Sequence, residues 1–175
     1  IIMLKSTGIN ANGVSLARAA SERLSDGYAT KLSDGRTYGE AVLNKTNIYA
    51  RLIQALFRAK ISLHYVSNIT GHGLRKIMRG RGNFTYVIEK IFKPQEVFSV
   101  IAHAAGLSPY EMYQTYNMGM DFALFLPRAD VKKTLAVISE NNFQGLDAGY
   151  IKKGERQVII QPKEITFSAE SLDLR

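Results

Sequence analysis

Three stretches of the sequence carry residue types that could hold an anionic ligand. The first is Ser6-Thr7-Gly8-Ile9-Asn10-Ala11-Asn12-Gly13, which lies between the apolar run Ile1-Ile2-Met3-Leu4 and a helical pattern. Glycine admits positive φ and lets a ligand approach the backbone closely. A helix start offers unpaired N–H groups and the positive end of the helix dipole. Ser6, Thr7, Asn10, Asn12 and Ser15 add hydroxyl and amide hydrogen-bonding groups. The same residue types also build an ordinary strand-to-helix turn. The loop is neither a P-loop, lacking Gly-Lys-Ser/Thr, nor a GxGxxG fingerprint. The second stretch is Thr70-Gly71-His72-Gly73-Leu74, another glycine turn before a helical segment that carries Arg75, Lys76 and Arg79, with Arg81 just beyond it. The third is Asn117-Met118-Gly119, where a helical pattern gives way to an apolar strand.

Two kinds of titratable residue bear on that chemistry. Among the histidines, His64 lies in a strand pattern and His103 beside a core stripe, so both read as structural or surface residues. His72, flanked by glycines in a loop, is the candidate for ligand contact. No histidine spacing suggests a metal site, and no Ser/His/Asp set can be assigned from spacing. Asp121 interrupts the apolar run from Met120 to Leu126. A buried charge needs a partner. The expectation is a cation such as Arg18 or Arg75, or a place at the open end of the strand.

The elements that must position these residues follow from hydrophobic periodicity. Residues 1–5 read as a strand, and Val14, Leu16, Ala17, Ala20 and Leu24 as a helical stripe. Ser25-Asp26-Gly27 and Ser33-Asp34-Gly35 bracket Tyr28 to Leu32, an exposed excursion that reads as a hairpin or mobile loop. Ile48, Tyr49, Leu52, Ile53, Leu56 and Phe57 predict an amphipathic helix over 47–59. Strands are expected at 62–69 and 84–91, with a short helix at 73–79 between them. Pro94 suits a helix start, Val97, Phe98 and Ile101 give its stripe, and Gly106 ends it. Ser108-Pro109-Tyr110-Glu111 is a capping-box pattern opening a further helix. The run from Met120 to Leu126 predicts a strand covered on both faces. Val131, Leu135 and Ile138 mark a helix ending at Asn141-Asn142. Three short strands follow at 147–152, 157–161 and 165–167, with Lys153-Gly154-Glu155-Arg156 as a hairpin turn between the first two. The alternation implies two helical layers around one sheet: an α/β (α+β) chain with a three-layer α/β/α arrangement and a mixed sheet.

Composition narrows the class. A chain of 175 residues is most simply one domain. Its apolar fraction of 46% is ordinary for a globular protein. The absence of cysteine excludes disulfides, Cys-ligated zinc and a thiol nucleophile, and fits a reducing, cytoplasmic setting. No apolar run approaches the roughly 18 residues of a membrane span. The net charge of +8 fits either a nucleic-acid surface or a phosphate-handling domain whose acidic partner lies elsewhere. Without an interleaved aromatic and basic stripe, nucleic acid is the weaker reading.

Ser6-Thr7-Gly8-x-x-x-Asn12-Gly13-x-Ser15-Leu16-x-Arg18 resembles a signature in the C-terminal domain of aminoimidazole ribonucleotide synthetase (phosphoribosylformylglycinamidine cyclo-ligase), where the usual pattern is Ser-Ser-Gly-x-His-Ser-Asn-Gly-x-Ser-Leu. Three further stretches resemble the same domain in the same order: Lys45-Thr46-Asn47-Ile48-Tyr49, Ile69-Thr70-Gly71-His72-Gly73-Leu74, and Met112-Tyr113-Gln114-Thr115-Tyr116-Asn117-Met118-Gly119-Met120. The resemblance implies a three-layer α/β/α fold with partly ferredoxin-like topology. It implies that residues 1–175 are the substrate-side domain of a longer two-domain chain. ATP and magnesium would then be held by an upstream domain, none would be bound by this piece alone, and the full-length protein would be a homodimer. It also implies a ribonucleotide substrate, formylglycinamidine ribonucleotide, closed to an imidazole ring. The substrate's phosphate or ribose would be held by Ser6, Thr7, Gly8, Asn10, Asn12, Gly13 and Ser15, with Gly71, His72, Gly73, Asn117 and Gly119 beside them.

The departures from that pattern matter as much as the matches. The family's histidine falls at Asn10 and its next serine at Ala11. Its Gly-Gly-Gly is Gly71-His72-Gly73, its Pro-Thr-Arg is Lys45-Thr46-Asn47, and a usually small residue is Asp121. Asparagine cannot transfer a proton at neutral pH, which leaves the catalytic group unassigned and His72 as the relocated imidazole to consider. Three function classes remain. They are the cyclo-ligase, a divergent superfamily member with another phosphoryl acceptor, and a non-catalytic or basic nucleic-acid-binding module.

Overall fold

The computed structural model describes residues 1–80 and 82–172. Its eight strands are divided between two sheets. The first contains β1 (Ile2–Lys5), β2 (Tyr65–Asn68), β4 (Met120–Phe125) and β5 (Gly145–Asp147), in the order β2-β4-β1-β5 with every pair antiparallel. The second contains β3 (Phe84–Ile88), β6 (Gly149–Lys153), β7 (Gln157–Ile160) and β8 (Ile165–Ser168), in the order β6-β3-β7-β8 with β3 and β7 parallel. The helices are α1 (Val14–Ser21), α2 (Tyr38–Val42), α3 (Ala50–Arg58), α4 (Glu96–Ala105), α5 (Pro109–Thr115) and α6 (Val131–Glu140). The α+β class and the mixed sheet are as expected, but the strands form two sheets rather than one.

The strand side chains explain the layering. Along β1, Ile2 and Leu4 pack with Leu52, Leu56, Leu124 and Ile138, under α3 and α6. The alternate residue Met3 faces the other way, into a core with Ala123, Phe125, Phe98 and Tyr116. That larger core also takes Tyr86, Ile88, Val158, Ile160 and Phe167 from the second sheet. The two central strands of the first sheet, β1 and β4, are therefore buried on both faces, which is why they read as nearly unbroken apolar runs.

Most predicted elements are present with shorter ends. The 73–79 segment is a 3-10 helix rather than an α-helix. The expected hairpin at residues 153–156 does not form a β6–β7 pair. β3 lies between those two strands, pairing antiparallel with β6 and parallel with β7. The chain does bend at residues 154–156, but the strand between β6 and β7 comes from about seventy residues earlier, which local signals cannot show. The excursion after α1 is tied down. Lys31 bridges Thr37, Leu32 is buried, and the Glu96 carboxylate accepts from the N–H and hydroxyl of Ser33.

The capping box at Ser108 and Glu111 is complete: the Ser108 hydroxyl accepts from the Glu111 N–H and the Glu111 carboxylate accepts from the Ser108 N–H. Replacing Ser108 by alanine is expected to lower stability by about 1 kcal/mol. Urea unfolding monitored by circular dichroism would read this as a lower midpoint at unchanged slope.

Candidate functional site

Two asparagines join the three candidate stretches. Asn117 is fully buried at the end of α5. Its Nδ2 donates to the Gly8 carbonyl at 2.9 Å, and its Oδ1 accepts from the Gly119 N–H at 3.0 Å and the Ser6 hydroxyl at 3.2 Å. The Ser6 N–H in turn donates to the Gly119 carbonyl at 2.9 Å. Asn12 does the same between the first and second stretches. Its Nδ2 donates to the Ile69 carbonyl at 3.2 Å and its Oδ1 accepts from the Gly71 N–H. The Tyr116 hydroxyl donates to the Gly13 carbonyl at 3.0 Å, and a Cβ on Gly13 would fall 2.6 Å from that ring. Gly13 has φ +58° and starts α1.

This knot uses up the side chains that the sequence offered for ligand binding. Ser6, Asn12 and Asn117 face inward, and the Thr7 hydroxyl donates to the Lys45 carbonyl at 2.7 Å. The groups left facing outward are the first-turn N–H groups of α1 and the exposed Ser15. Replacing Asn117 by alanine removes three buried hydrogen bonds. The expected loss is about 2–4 kcal/mol at roughly 1 kcal/mol per bond, measured as a drop in the guanidinium midpoint.

The second stretch adds cations. Gly71, His72 and Gly73 have φ of +50°, +62° and +53°, three successive left-handed residues. Lys76 Nζ donates to the Thr70 hydroxyl at 2.5 Å, and an Arg79 guanidinium nitrogen lies 3.4 Å from His72 Nδ1. Burial, and secondarily Arg79, lower the Lys76 pKa. Arg75 is 9% exposed and donates to the carbonyls of His72, Gln114 and Ser171. Arg75 therefore braces the loop instead of standing on an open basic face. Arg81 lies outside the described residues.

Asp121 is buried, with the Tyr49 hydroxyl donating to one carboxylate oxygen and Asn10 Nδ2 donating to the other at 3.0 Å. Asn47 Nδ2 donates to the Tyr49 oxygen at 3.0 Å. Burial raises the Asp121 pKa, opposed by these donors; burial first and then the Asp121 charge raise that of Tyr49. Of the two expectations for Asp121, a cation partner or a place at the end of the strand, the first is not met, and Asp121 is the second residue of β4. The structure instead supplies neutral donors, because Arg75 is engaged at the His72 loop and Tyr49 reaches the carboxylate from the start of α3. The Lys45-Thr46-Asn47-Ile48-Tyr49 stretch therefore touches the site through Tyr49 and Asn47. In the sequence Tyr49 belongs to a core stripe and to the Lys45–Tyr49 stretch but to no candidate site, and the isolated carboxylate in β4 is the signal that a buried donor must exist.

No family model matches the chain. The chain is 31% identical over 159 residues to a phosphoribosylformylglycinamidine cyclo-ligase of Methanopyrus kandleri, a match covering 91% of this chain and 45% of that protein. Over about nine tenths of its length the chain is thus similar to the C-terminal part of phosphoribosylformylglycinamidine cyclo-ligases. A cyclo-ligase of Methanocaldococcus jannaschii is 32% identical over 144 residues, covering 81% of this chain and 41% of that protein. One of Rippkaea orientalis is 27% identical over 168 residues, covering 93% and 49%. The chain spans about half the length of the curated relatives it matches.

Against the cyclo-ligase pattern, the two most telling departures are in contact. Asn10, at the histidine position, binds Asp121, at the small-residue position. Among the described residues no group of three or more histidine, aspartate or glutamate side chains is arranged to hold a metal ion. No helix of the described chain is long and apolar enough to cross a membrane.

Proposed function

We propose that this chain forms the substrate-side wall of an ATP-dependent cyclo-ligase of purine biosynthesis, acting with an ATP-binding half. The observation that carries this reading is the knot made by Asn117 and Asn12. It brings together the glycine loop before α1, the Gly71–Gly73 turn and the Asn117–Gly119 turn. ATP, with magnesium held by the other half, would supply the phosphoryl group that turns the formyl amide oxygen of formylglycinamidine ribonucleotide into a leaving group. The amidine nitrogen then bonds to that carbon, the carbon–oxygen bond breaks, phosphate departs and the nitrogen gives up its proton.

The part left to this chain is binding and orientation, which is where such reactions gain much of their rate. The first-turn N–H groups of α1 and the Ser15 hydroxyl suit the substrate's phosphate or ribose. Lys76, Arg79 and His72 suit further negative charge, as in other phosphoryl transfers. Thr7, Gly8, Asn10 and Gly13 set the backbone that carries those donors.

The test joins the chain to its ATP-binding half and supplies ATP, magnesium and formylglycinamidine ribonucleotide. The expected result is ADP release coupled to imidazole formation, with no turnover by the 175-residue chain alone. A second reading, a superfamily member with another phosphoryl acceptor, is favoured by the Asn10–Asp121 contact, which puts a carboxyl group beside the position where the pattern has an imidazole. ADP release that requires a different acceptor would select it. Failure with every acceptor tried would sink both readings.

A further inference from the structure

A cavity of about 840 Å³ is walled by both sheets, with Tyr65 and Phe125 from the first and Phe84, Tyr86 and Tyr150 from the second. Small-molecule sites have this aromatic lining and run from roughly 300 to 1,000 Å³. The cavity lies at the far end of β1 from the glycine loop, since Ile1 lines it and the loop follows Lys5. The Phe125 ring joins two others, its centroid 5.2 Å from that of Tyr65 and 5.7 Å from that of Tyr86. Tyr86 is 2% exposed, yet its hydroxyl makes no hydrogen bond among the described residues. A donor on so buried a side chain rarely goes without a partner. Unlike the Tyr113 hydroxyl, this one is not sealed from the surface. Gly80 leaves it open: a Cβ there would fall 3.0 Å from the Tyr86 oxygen and 3.5 Å from the Tyr65 ring. Burial raises the Tyr86 pKa, so the hydroxyl keeps its proton and remains a donor. Positive charge gathers at the same corner. Arg79 precedes Gly80 and lines the cavity, and the Arg156 guanidinium donates to the Gly80 carbonyl at 3.3 Å. None of the described residues lining the cavity is acidic.

We propose that this cavity binds a flat aromatic molecule carrying an anionic oxygen group, a carboxylate or a phosphate. The anion sits at Gly80, accepting from the Tyr86 hydroxyl and facing the Arg79 guanidinium, where a charged acceptor makes the stronger hydrogen bond. The ring lies among Tyr65, Phe84 and Phe125, since aromatic pairs gain stacked or edge-to-face contacts beyond the area they bury. Arg128, at the rim, already holds Asp147 at 2.6 Å, so the anchor is the Gly80 corner and not the rim. Arg79 also lies 3.4 Å from His72 Nδ1 and so belongs both to this cavity and to the His72 turn. This inference does not depend on the cyclo-ligase reading.

The test uses the 175-residue chain and four probes: 2-naphthoate, 2-naphthyl phosphate, the neutral 2-naphthylmethanol and the non-aromatic cyclohexanecarboxylate. Binding is followed by NMR through the methyl signals of Val131 and Ile151, which line the cavity, while the Ser15 amide reports on the α1 loop. At least one naphthyl anion is expected to bind at least tenfold more tightly than both controls, and the tighter of the two identifies the anionic group. Tyr86→Phe is expected to lose at least fivefold in affinity for that anion and to leave naphthylmethanol unchanged. Gly80→Ala covers the same hydroxyl from a backbone conformation, φ −55°, that alanine adopts freely, and is expected to weaken the anion to a similar extent. It keeps the test open if the buried variant folds poorly. Equal binding of anions and controls, anion-induced shifts at Ser15 without shifts at Val131 and Ile151, unchanged anion affinity in either folded variant, or no binding of any probe would overturn the proposal.

Discussion

Replacing Asp121 by asparagine is expected to stabilise the protein at neutral pH, whereas replacing it by alanine is expected to cost about 2–4 kcal/mol, the penalty for leaving two buried donors unpaired. The asymmetry follows from the donors around the carboxylate. An amide in that place still accepts from the Tyr49 hydroxyl. Its NH₂ would face Asn10 Nδ2, but Asn10 Oδ1 is buried without a partner among the described residues, so rotating the Asn10 amide gives the new NH₂ an acceptor. The substitution removes a charge that burial disfavours and retains both hydrogen bonds. Alanine removes both acceptors. Tyr49→Phe leaves the carboxylate with Asn10 alone and is expected to cost about 1.5–3 kcal/mol, the range for a hydrogen bond to a charged group.

The same site predicts a pH dependence. The folded-state pKa of Asp121 is raised above the ordinary value of 3.8. A raised carboxyl binds its proton more tightly in the folded state than in the unfolded one. Its contribution is therefore fully present below the unfolded pKa and is lost as pH rises through the folded pKa. Denaturation of the natural protein and of Asp121→Asn, compared from pH 3.5 upward, should show a difference that grows in favour of asparagine as pH rises. A pH-independent difference would mean that Asp121 is not the titrating group.

Gly73→Ala is expected to prevent folding or to cost several kcal/mol, while Gly71→Ala, two residues earlier, is expected to cost about 1–2 kcal/mol. Both glycines have positive φ, which alone costs an alanine about 1–2 kcal/mol. They differ in what surrounds them. A Cβ on Gly73 would lie 2.0 Å from the Tyr113 carbonyl oxygen and 2.8 Å from the Gln114 carbonyl carbon, all of it backbone. A Cβ on Gly71 would meet nothing within 4 Å. Between them, His72 already holds φ +62° with a full side chain. The loop thus needs glycine at its end, where it presses against α5, and tolerates side chains before that. Soluble yield and thermal midpoints of the two variants would check this. Equal effects would show that conformation alone, not the close approach to α5, sets the requirement.

The capping box at Ser108, the stripe of α3 and the apolar run of β4 were all local patterns with local causes, and each element formed where its pattern lay. The three candidate stretches were legible as turns because glycine and asparagine serve few other purposes. The partnerships among them were not, since Asn117 meets Gly8 and Asn12 meets Gly71 across separations of 109 and 59 residues. α2 was missed although Thr37 and Glu40 form a complete capping box, because a helix of five residues leaves no periodicity to count. The division into two sheets was hidden for a related reason: β3 inserts between β6 and β7, and nothing in the turn at residues 153–156 records it. Neutral donors around Asp121 were equally out of reach, because a tyrosine in a core stripe looks the same whether or not its hydroxyl has an acceptor.

The central place of β1 has a consequence for the order in which the molecule is made. During synthesis Ile2–Lys5 emerges long before both of its neighbours, β4 and β5, which lie at residues 120–147. At about 5–20 residues per second, the strand waits roughly 6–30 seconds for its partners to emerge. Throughout that interval the apolar Ile2-Met3-Leu4 of a strand with two unsatisfied edges is held near the growing chain. Nascent-chain protection by a holdase, and a preference for slow, dilute expression, are the expected signatures of a fold whose central strand is made long before the strands that enclose it.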